Sequence, residues 1–192
     1  NRLLVSHDLK PLDTLSQYRE VFTFPIEDYY KRVGFDFDKI PFSMLAHEYM
    51  EDYQEKSYAC DLHSDVLDVV NKAKNLGFSQ TVLSASKMDY LLKQMETLHV
   101  DDLFDSIYGI NDIYAKSKVE LAHAFKQTCS LDDEIYFVGD SIHDYEVAKN
   151  IGAKCILVTT GHQNRATLES VNVPVMDSLM ESLDLIYERD KD

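Results

Sequence analysis

The sequence predicts an α/β protein in which a parallel sheet with helices on both faces follows a helical region. Two observations lead to this fold class. From residue 59 onward, short apolar runs that suit buried strands alternate with stretches of helical periodicity, a pattern typical of parallel sheets. Before that point the chain shows helical patterns and no strand signal. We therefore divide the chain into a helical region at 1–58 and an α/β region at 59–192.

Proline and glycine residues divide the helical region into separate helices. Residues 3–5 suit the end of a first helix, and Thr14 is placed to begin a second. Pro25 and Pro41 stand at the first turns of two more, and Gly34 ends the one that Pro25 begins. The last helix carries an apolar stripe formed by Phe42, Leu45, Ala46, Tyr49 and Tyr53.

Apolar runs and cap residues mark the elements of the α/β region. Strands are predicted at 81–83, 106–109, 135–138, 155–158 and 173–176. Ser64 suits a helix N-cap, and two capping boxes, Ser86 with Asp89 and Ser117 with Glu120, begin further helices. The remaining helices are predicted at 145–151, near 165, and at 178–187.

The composition limits the partners and the compartment of the protein. Acidic residues outnumber basic residues, 34 to 19, and give a net charge of −15. This charge opposes binding to nucleic acid and to anionic membranes, and no apolar run approaches the ~18 residues of a membrane span. Cys60, Cys129 and Cys155 are widely spaced, which indicates thiols in a reducing compartment. We expect a cytoplasmic protein, and the oligomeric state stays open between a monomer and a homodimer.

Three strand–helix junctions carry polar side chains that suit phosphate chemistry. Ser84 follows the strand at 81–83, Lys118 stands in the first turn of a helix, and Asp140 and Asp144 follow the strand at 135–138. Open α/β sheets bind ligands beyond the carboxyl ends of their strands. A hydroxyl and a lysine can hold a phosphoryl group there, and a carboxylate pair suits Mg²⁺, which keeps waters for a phosphate.

Each of these residues also has an ordinary structural interpretation. Ser84 can be a strand-end hydroxyl and Lys118 a solvated lysine. Asp140 and Asp144 can be a helix cap and a surface carboxylate. Lys116 competes with Lys118, which the capping box favours. The combination of all four in this order favours the phosphate site.

These motifs together resemble those of the haloacid dehalogenase-like (HAD) superfamily, and within it the phosphoglycolate phosphatase-like hydrolases. The matching parts are 81–86 (TVLSAS), Lys118, and 139–152 (GDSIHDYEVAKNIG), and the resemblance extends from about residue 58 to the end of the chain. It implies a Rossmann-like core at 59–192 and a helical cap domain at 1–58 that selects the substrate.

The resemblance also implies a role for each candidate residue. Ser84 and Ala85 would bind the substrate phosphate, and Lys118 would pair with the phosphate and with the nucleophile. Asp140 and Asp144 would anchor Mg²⁺ as the cofactor. Lys118 and Ser84 are thus the candidate catalytic residues.

One family motif, an apolar strand ending in DxDGT that carries the nucleophilic Asp, does not occur in this sequence. The stretch 35–38 (FDFD) imitates it, but Gly34 ends a helix immediately before it and no Gly-Thr follows. By resemblance the motif's strand lies between the strands that carry Ser84 and Asp140, where its loss would leave buried backbone groups unpaired. We therefore expect a segment preceding Asn1 to carry it.

From the motifs and the resemblance we expect a Mg²⁺-dependent phosphatase that hydrolyses a small phosphorylated metabolite through an aspartyl-phosphate. A phosphomutase on the same scaffold is one alternative, and a non-catalytic binding or regulatory protein that lacks the nucleophile is another. His143 could ligate the metal or lie exposed in the turn. Four tyrosines of the helical region either face the substrate or pack in the core: Tyr18, Tyr29, Tyr30 and Tyr49.

Overall fold

The computed structural model describes residues 1–110 and 118–191 and confirms a mixed α/β fold with parallel strands. Its helices are α1 (Arg2–Ser6), α2 (Leu15–Val21), α3 (Ile26–Arg32), α4 (Phe42–Ser57), α5 (Val66–Asn75), α6 (Met88–Thr97), α7 (Lys118–Lys126), α8 (Ile142–Asn150), α9 (Arg165–Glu169) and α10 (Leu179–Arg189). Its strands are β1 (Thr81–Lys87), β2 (Ser106–Ile110), β3 (Tyr136–Gly139), β4 (Lys154–Val158) and β5 (Val175–Met176). Among these helices none is both long enough and apolar enough to cross a membrane.

The strands form two parallel sheets that side-chain packing joins. β1 pairs with β2, and β3, β4 and β5 form the second sheet in that order. Helix α7 contacts β1, β2 and α8, and its Ala122 is buried in one cluster with Val147 of α8 and Leu83 of β1. In the described ranges β1 and β3 share no ladder. That the first strand of the family lies between them stays a prediction.

Helices cover both faces of the second sheet. Leu157 of β4 packs with Ala148 of α8 and Leu168 of α9. Ile156 points to the opposite face, because successive side chains of a strand alternate, and it is fully buried. Helix α10 contacts both β4 and β5. A strand buried on both sides reads as a continuous apolar run, which is why β4 could be recognised in the sequence.

The helical region has its own apolar core. Leu4, Tyr30, Phe35 and Leu45 are buried together there, one from each of α1, α3, the following loop and α4. Phe35 belongs to the FDFD stretch, which is therefore a loop that packs into this core. The division of the chain at 1–58 and 59–192 stays a prediction.

The predicted capping box of Ser86 and Asp89 is wrong. Strand β1 continues through Lys87, which pairs with Ile110, and α6 begins only after it. The backbone N–H of Ser86 instead donates to the Ser84 hydroxyl at 3.1 Å. A short local motif could not reveal this outcome because strand pairing with a distant segment decides it.

The predicted N-cap at Ser64 is also wrong, because Asp65 holds that position in α5. The Asp65 carboxylate caps a different helix, accepting hydrogen bonds from the backbone N–H groups of Leu179 (3.0 Å) and Met180 (3.3 Å) at the start of α10. The predicted Ser117 cap lies outside the described residues.

We predict that Leu45→Ala destabilises the fold by about 3 kcal/mol, because it removes buried methyl groups and leaves a cavity. Leu45 is 0% exposed, whereas its neighbour Met44 is 63% exposed. Met44→Ala is therefore the matched control, and we expect it to cost less than about 0.5 kcal/mol. Urea unfolding followed by circular dichroism measures both. Equal losses in the two variants would contradict the assigned core.

Candidate active site

The junction between β3 and α8 is built by a local capping box. Ser141 is the N-cap of α8, and its hydroxyl accepts a hydrogen bond from the Asp144 N–H. In turn, the Asp144 carboxylate accepts hydrogen bonds from the Ser141 N–H at 3.1 Å and from the Ser141 hydroxyl at 2.7 Å. This reciprocal arrangement satisfies N–H groups that a helix start leaves unpaired. It also holds Asp140, just before the cap, at the carboxyl end of a parallel strand.

Asp144 is buried and forms an ion pair with Lys118. Lys118 Nζ lies 2.6 Å from Asp144 Oδ1, with side-chain exposures of 17% and 3%. The N–H of Asp140 donates to Asp144 Oδ2 at 3.0 Å. Burial by itself raises the pKa of Asp144, but the Lys118 charge and these hydrogen bonds outweigh it, so the pKa lies below its ordinary value. The carboxylate is therefore ionised at neutral pH, and both of its oxygens are engaged.

Two glycines allow backbone to approach the carboxylates closely. A Cβ built on Gly139 would collide with the Asp144 side chain, and one built on Gly161 would collide with the Asp140 carboxylate. Any larger residue at either position would displace a carboxylate. Packing against Asp144 thus explains why position 139 of the motif is a glycine.

Asp140 offers a carboxylate oxygen that suits a metal ion. Its Oδ2 accepts a hydrogen bond from the backbone N–H of His162 at 2.7 Å, and in the part of the chain that is described its Oδ1 accepts none. Mg²⁺ takes one or two carboxylates and fills its remaining positions with water and phosphate oxygens. Asp140 fits this donor pattern. Within residues 1–110 and 118–191, no group of three or more His, Cys, Asp or Glu residues could hold a metal by itself.

The two predicted metal ligands therefore differ in their surroundings. Asp144 is committed to Lys118 and to the start of α8, whereas Asp140 is half-buried with an available oxygen. This geometry favours Asp140 as the direct ligand and Asp144 as the residue that holds Lys118. Metal binding by either residue stays a prediction.

The end of β1 departs from regular pairing at the predicted phosphate site. Leu83 pairs with Tyr108 and Lys87 with Ile110, so residues 84–86 together oppose Gly109. The Ser84 hydroxyl accepts the hydrogen bond from Ser86 N–H within this irregular stretch. Bulges of this kind occur often beside active sites, where they redirect a side chain.

The structure brings some of the predicted site residues into contact and leaves others apart. Lys118, Asp140 and Asp144 form one hydrogen-bonded group. Ser84 and Ala85 have no described contact with that group, although the preceding residue of β1 packs against α7 and α8. Ala85 is exposed and Ser84 half-buried. Their part in phosphate binding stays a prediction.

The sequence analysis missed a contact between the helical region and the loop after β4. The Tyr18 hydroxyl lies 2.6 Å from His162 Nδ1, across 144 positions of sequence. Arg19 donates from Nε to the Gly161 carbonyl at 2.9 Å and from Nη2 to the Thr160 carbonyl at 3.1 Å. No motif predicts this contact, because a surface arginine on a short helix has no distinguishing pattern.

The candidate tyrosines fall into different environments. Tyr18 lies at the contact with the α/β region, and burial raises its pKa, with further contributions from Tyr29, Tyr49 and Asp140. Tyr30 is buried in the core of the helical region. Tyr49 is 45% exposed and stacks on a neighbouring tyrosine. Tyr29 packs against Tyr18 and Phe22. Tyr18 contacts His162, whose N–H donates to Asp140.

His143 lies on α8 and faces the helical region. Its ring lies 5.0 Å from that of Phe24, and its Nδ1 lies 3.5 Å from the Glu146 carboxylate. Neither contact involves Asp140. These surroundings favour packing over metal ligation.

Comparison with known proteins identifies the family and the fold. The family model for haloacid dehalogenase-like hydrolases matches residues 1–158. A haloacid dehalogenase-like family hydrolase from Streptococcus pneumoniae superposes with a TM-score of 0.80 at 19% identity, covering 96% of this chain and 86% of that chain. A predicted phosphatase from Clostridium acetobutylicum gives 0.77 at 20% identity, covering 97% and 87%.

A third solved structure, a predicted phosphoglycolate phosphatase from Haemophilus somnus, gives a TM-score of 0.68 at 16% identity, covering 97% of this chain and 88% of that chain. At these identities the structural likeness establishes the fold alone. No curated protein matches the sequence significantly.

We predict that Asp144→Asn costs about 3 kcal/mol or more of the free energy of unfolding at pH 7, because it leaves Lys118 without its partner. The folded-state pKa of Asp144 is depressed, so its stabilisation is fully present above the unfolded-state pKa, about 4. The difference from wild type should stay constant between about pH 7 and pH 5 and shrink as the pH falls below about 4.

Urea unfolding at neutral, mildly acidic and strongly acidic pH measures this difference. Asp132→Asn, at an exposed position, is the matched control and should be near neutral throughout. A penalty for Asp144→Asn that grew on acidification would contradict the assigned ion pair.

Proposed function

Because the chain belongs to the haloacid dehalogenase-like hydrolase family, we propose that it is a Mg²⁺-dependent phosphatase of a small phosphorylated metabolite. The observation that carries this proposal is the group at the end of β3. There a buried Lys118–Asp144 ion pair stands beside Asp140, whose Oδ1 is available to a ligand. A fixed cation next to an available carboxylate suits a phosphate that arrives with a divalent metal.

Each site residue has a distinct part in this proposal. Asp140 would hold Mg²⁺, and Lys118, kept in place by Asp144, would pair with a phosphate oxygen. Ser84 would donate its hydroxyl and Ala85 its backbone N–H to the other phosphate oxygens. Bound Mg²⁺ would neutralise charge on the phosphoryl group and polarise it. These cations would also offset the net charge of −15, which otherwise repels a phosphorylated substrate.

The reaction we propose passes through an aspartyl-phosphate. A carboxylate attacks phosphorus, the substrate alkoxide leaves, and water then hydrolyses the acyl phosphate. In this proposal the attacking carboxylate is the Asp of the family's DxDGT motif, which does not occur in residues 1–192. Residues 1–192 would therefore contribute the phosphate-binding and metal-binding part of the site.

The helical region would serve as the cap that closes over the substrate. Its contact through Tyr18 and Arg19 with the loop next to Asp140 supports this part of the proposal. Closure would exclude water from the reacting phosphate. A cytoplasmic location is part of the same proposal and agrees with the free thiols of Cys60, Cys129 and Cys155.

We predict that the full-length protein hydrolyses p-nitrophenyl phosphate only with Mg²⁺, and that Asp140→Asn lowers kcat by about 100-fold or more, because an electrostatic anchor of the transition state is lost. Asp132→Asn is the matched control and should retain wild-type turnover. Phosphate release with and without Mg²⁺ measures both variants.

Companion assays with sugar phosphates and with phosphorylated compounds as binding ligands identify the alternatives. A phosphomutase would isomerise a sugar phosphate and release little inorganic phosphate. A binding protein would bind phosphorylated compounds with no turnover. Metal-independent hydrolysis, or full activity in Asp140→Asn, would refute the proposed function.

A further inference from the structure

The loop at 159–163, here called the linking loop, contacts Asp140 on one side and the helical region on the other. Its His162 N–H donates to Asp140 Oδ2 at 2.7 Å. Its Gln163 is 4% exposed and accepts a hydrogen bond from the Ile142 N–H at 2.7 Å, at the first residue of α8. The linking loop is thus attached twice to the segment that carries Asp140.

Arg19 and Asp140 hold opposite ends of one peptide group. The Gly161 carbonyl that accepts from Arg19 Nε and the His162 N–H that donates to Asp140 belong to the same peptide bond. That group is planar and trans, so its two ends cannot move independently. A charged donor on the carbonyl also polarises the peptide and strengthens the hydrogen bond that its N–H donates.

Arg19 is well placed to orient this peptide. Its second hydrogen bond, from Nη2 to the Thr160 carbonyl at 3.1 Å, makes the contact a two-point one. The planar guanidinium fork fixes both carbonyls in direction, which a single ammonium cannot do. A Cβ at Gly161 would collide with the Asp140 carboxylate, so the backbone of the loop approaches this carboxylate more closely than any residue other than glycine would allow.

Neighbouring aromatic side chains hold the same loop. The Phe22 ring, which is 7% exposed, stacks on the His162 ring with centroids 4.6 Å apart and an interplanar angle of 19°. The Tyr18 hydroxyl contacts His162 Nδ1 at 2.6 Å. Arg19 therefore acts beside a packed aromatic contact on the same loop, and its own two hydrogen bonds define the position of its guanidinium.

We propose that Arg19 is a positioning residue for Asp140: through the linking loop, docking of the helical region orients the carboxylate that would hold Mg²⁺. This inference rests on the proposed function. It makes metal affinity dependent on the closed position of the cap, so that the complete metal site forms only when the helical region is docked.

The direction in which Mg²⁺ affinity changes when Arg19 is replaced distinguishes a positioning role from a simple electrostatic one. Removing a positive charge near a dication site should strengthen Mg²⁺ binding by Coulomb's law. Losing the orientation of Asp140 should weaken it instead. A weaker affinity in a variant without the Arg19 charge therefore cannot come from the charge itself.

The test compares Arg19→Gln with Arg32→Gln in the full-length protein. Both substitutions remove one positive charge, but Arg32 donates within the helical region, to the Val21 carbonyl. Calorimetric titration with Mg²⁺ should give a dissociation constant about 10-fold higher for Arg19→Gln, and one close to wild type for Arg32→Gln. Hydrogen exchange at 159–163 should accelerate in Arg19→Gln alone, a readout independent of catalysis.

Two conservative variants, one that keeps the ring packing and one that keeps the charge, show whether a weaker Mg²⁺ affinity comes from the loss of the loop contact. Tyr18→Phe keeps the ring packing and should weaken Mg²⁺ binding in the same direction by a smaller factor. Arg19→Lys keeps the charge and should fall between wild type and Arg19→Gln. Circular dichroism confirms that each variant is folded.

The possible failures are distinguishable. If wild type binds Mg²⁺ no better than Asp140→Asn, the proposed function fails, and this inference fails with it. If wild type binds Mg²⁺ but Arg19→Gln binds it equally well or more tightly, or if exchange at 159–163 is unchanged, this inference alone is overturned.

Discussion

The rest of the site depends on the interactions of the buried Asp144 carboxylate with Lys118 and with the start of α8. It ties the start of α8 to the end of β3, and through Lys118 it reaches α7. Because α7 packs on β1 and β2 while α8 packs on β3 and β4, this ion pair joins two sheets that share no ladder in the described residues. A buried charge without its partner is costly, so the pair constrains both helices at once.

Asp140, unlike Asp144, is held partly by a segment outside this ion pair. Its backbone N–H is held by Asp144, whereas its carboxylate is oriented by the His162 N–H from a loop that the helical region contacts. One acid is thus held from within the α/β region, and the other accepts a hydrogen bond from a loop that the helical region contacts. Under the proposed function this difference would matter, because docking of the helical region would orient the Asp140 carboxylate that we propose as the Mg²⁺ ligand.

The features that could be predicted from sequence are those whose cause is local. Helix and strand periods and the helices opened by Pro25 and Pro41 depend on residues a few positions apart. The Ser141–Asp144 capping box is just as local but was not predicted, and it excludes Asp140 as the helix cap and Asp144 as a surface carboxylate. The position of Lys118 at the start of α7 belongs to the same class. These local patterns, with the motif order, were enough to indicate the fold class and the end of the sheet where the candidate site lies.

By itself, the sequence determined the order of the elements, the acidic charge and the polar residues that end the strands. Only the tertiary structure decided that β1 runs on to Lys87, that Asp65 caps α10, that Asp144 pairs with Lys118, and that Arg19 reaches the linking loop. The physical reason is the same in each case. These outcomes depend on which distant segments pack together, and side chains that meet across the fold leave no period in the chain.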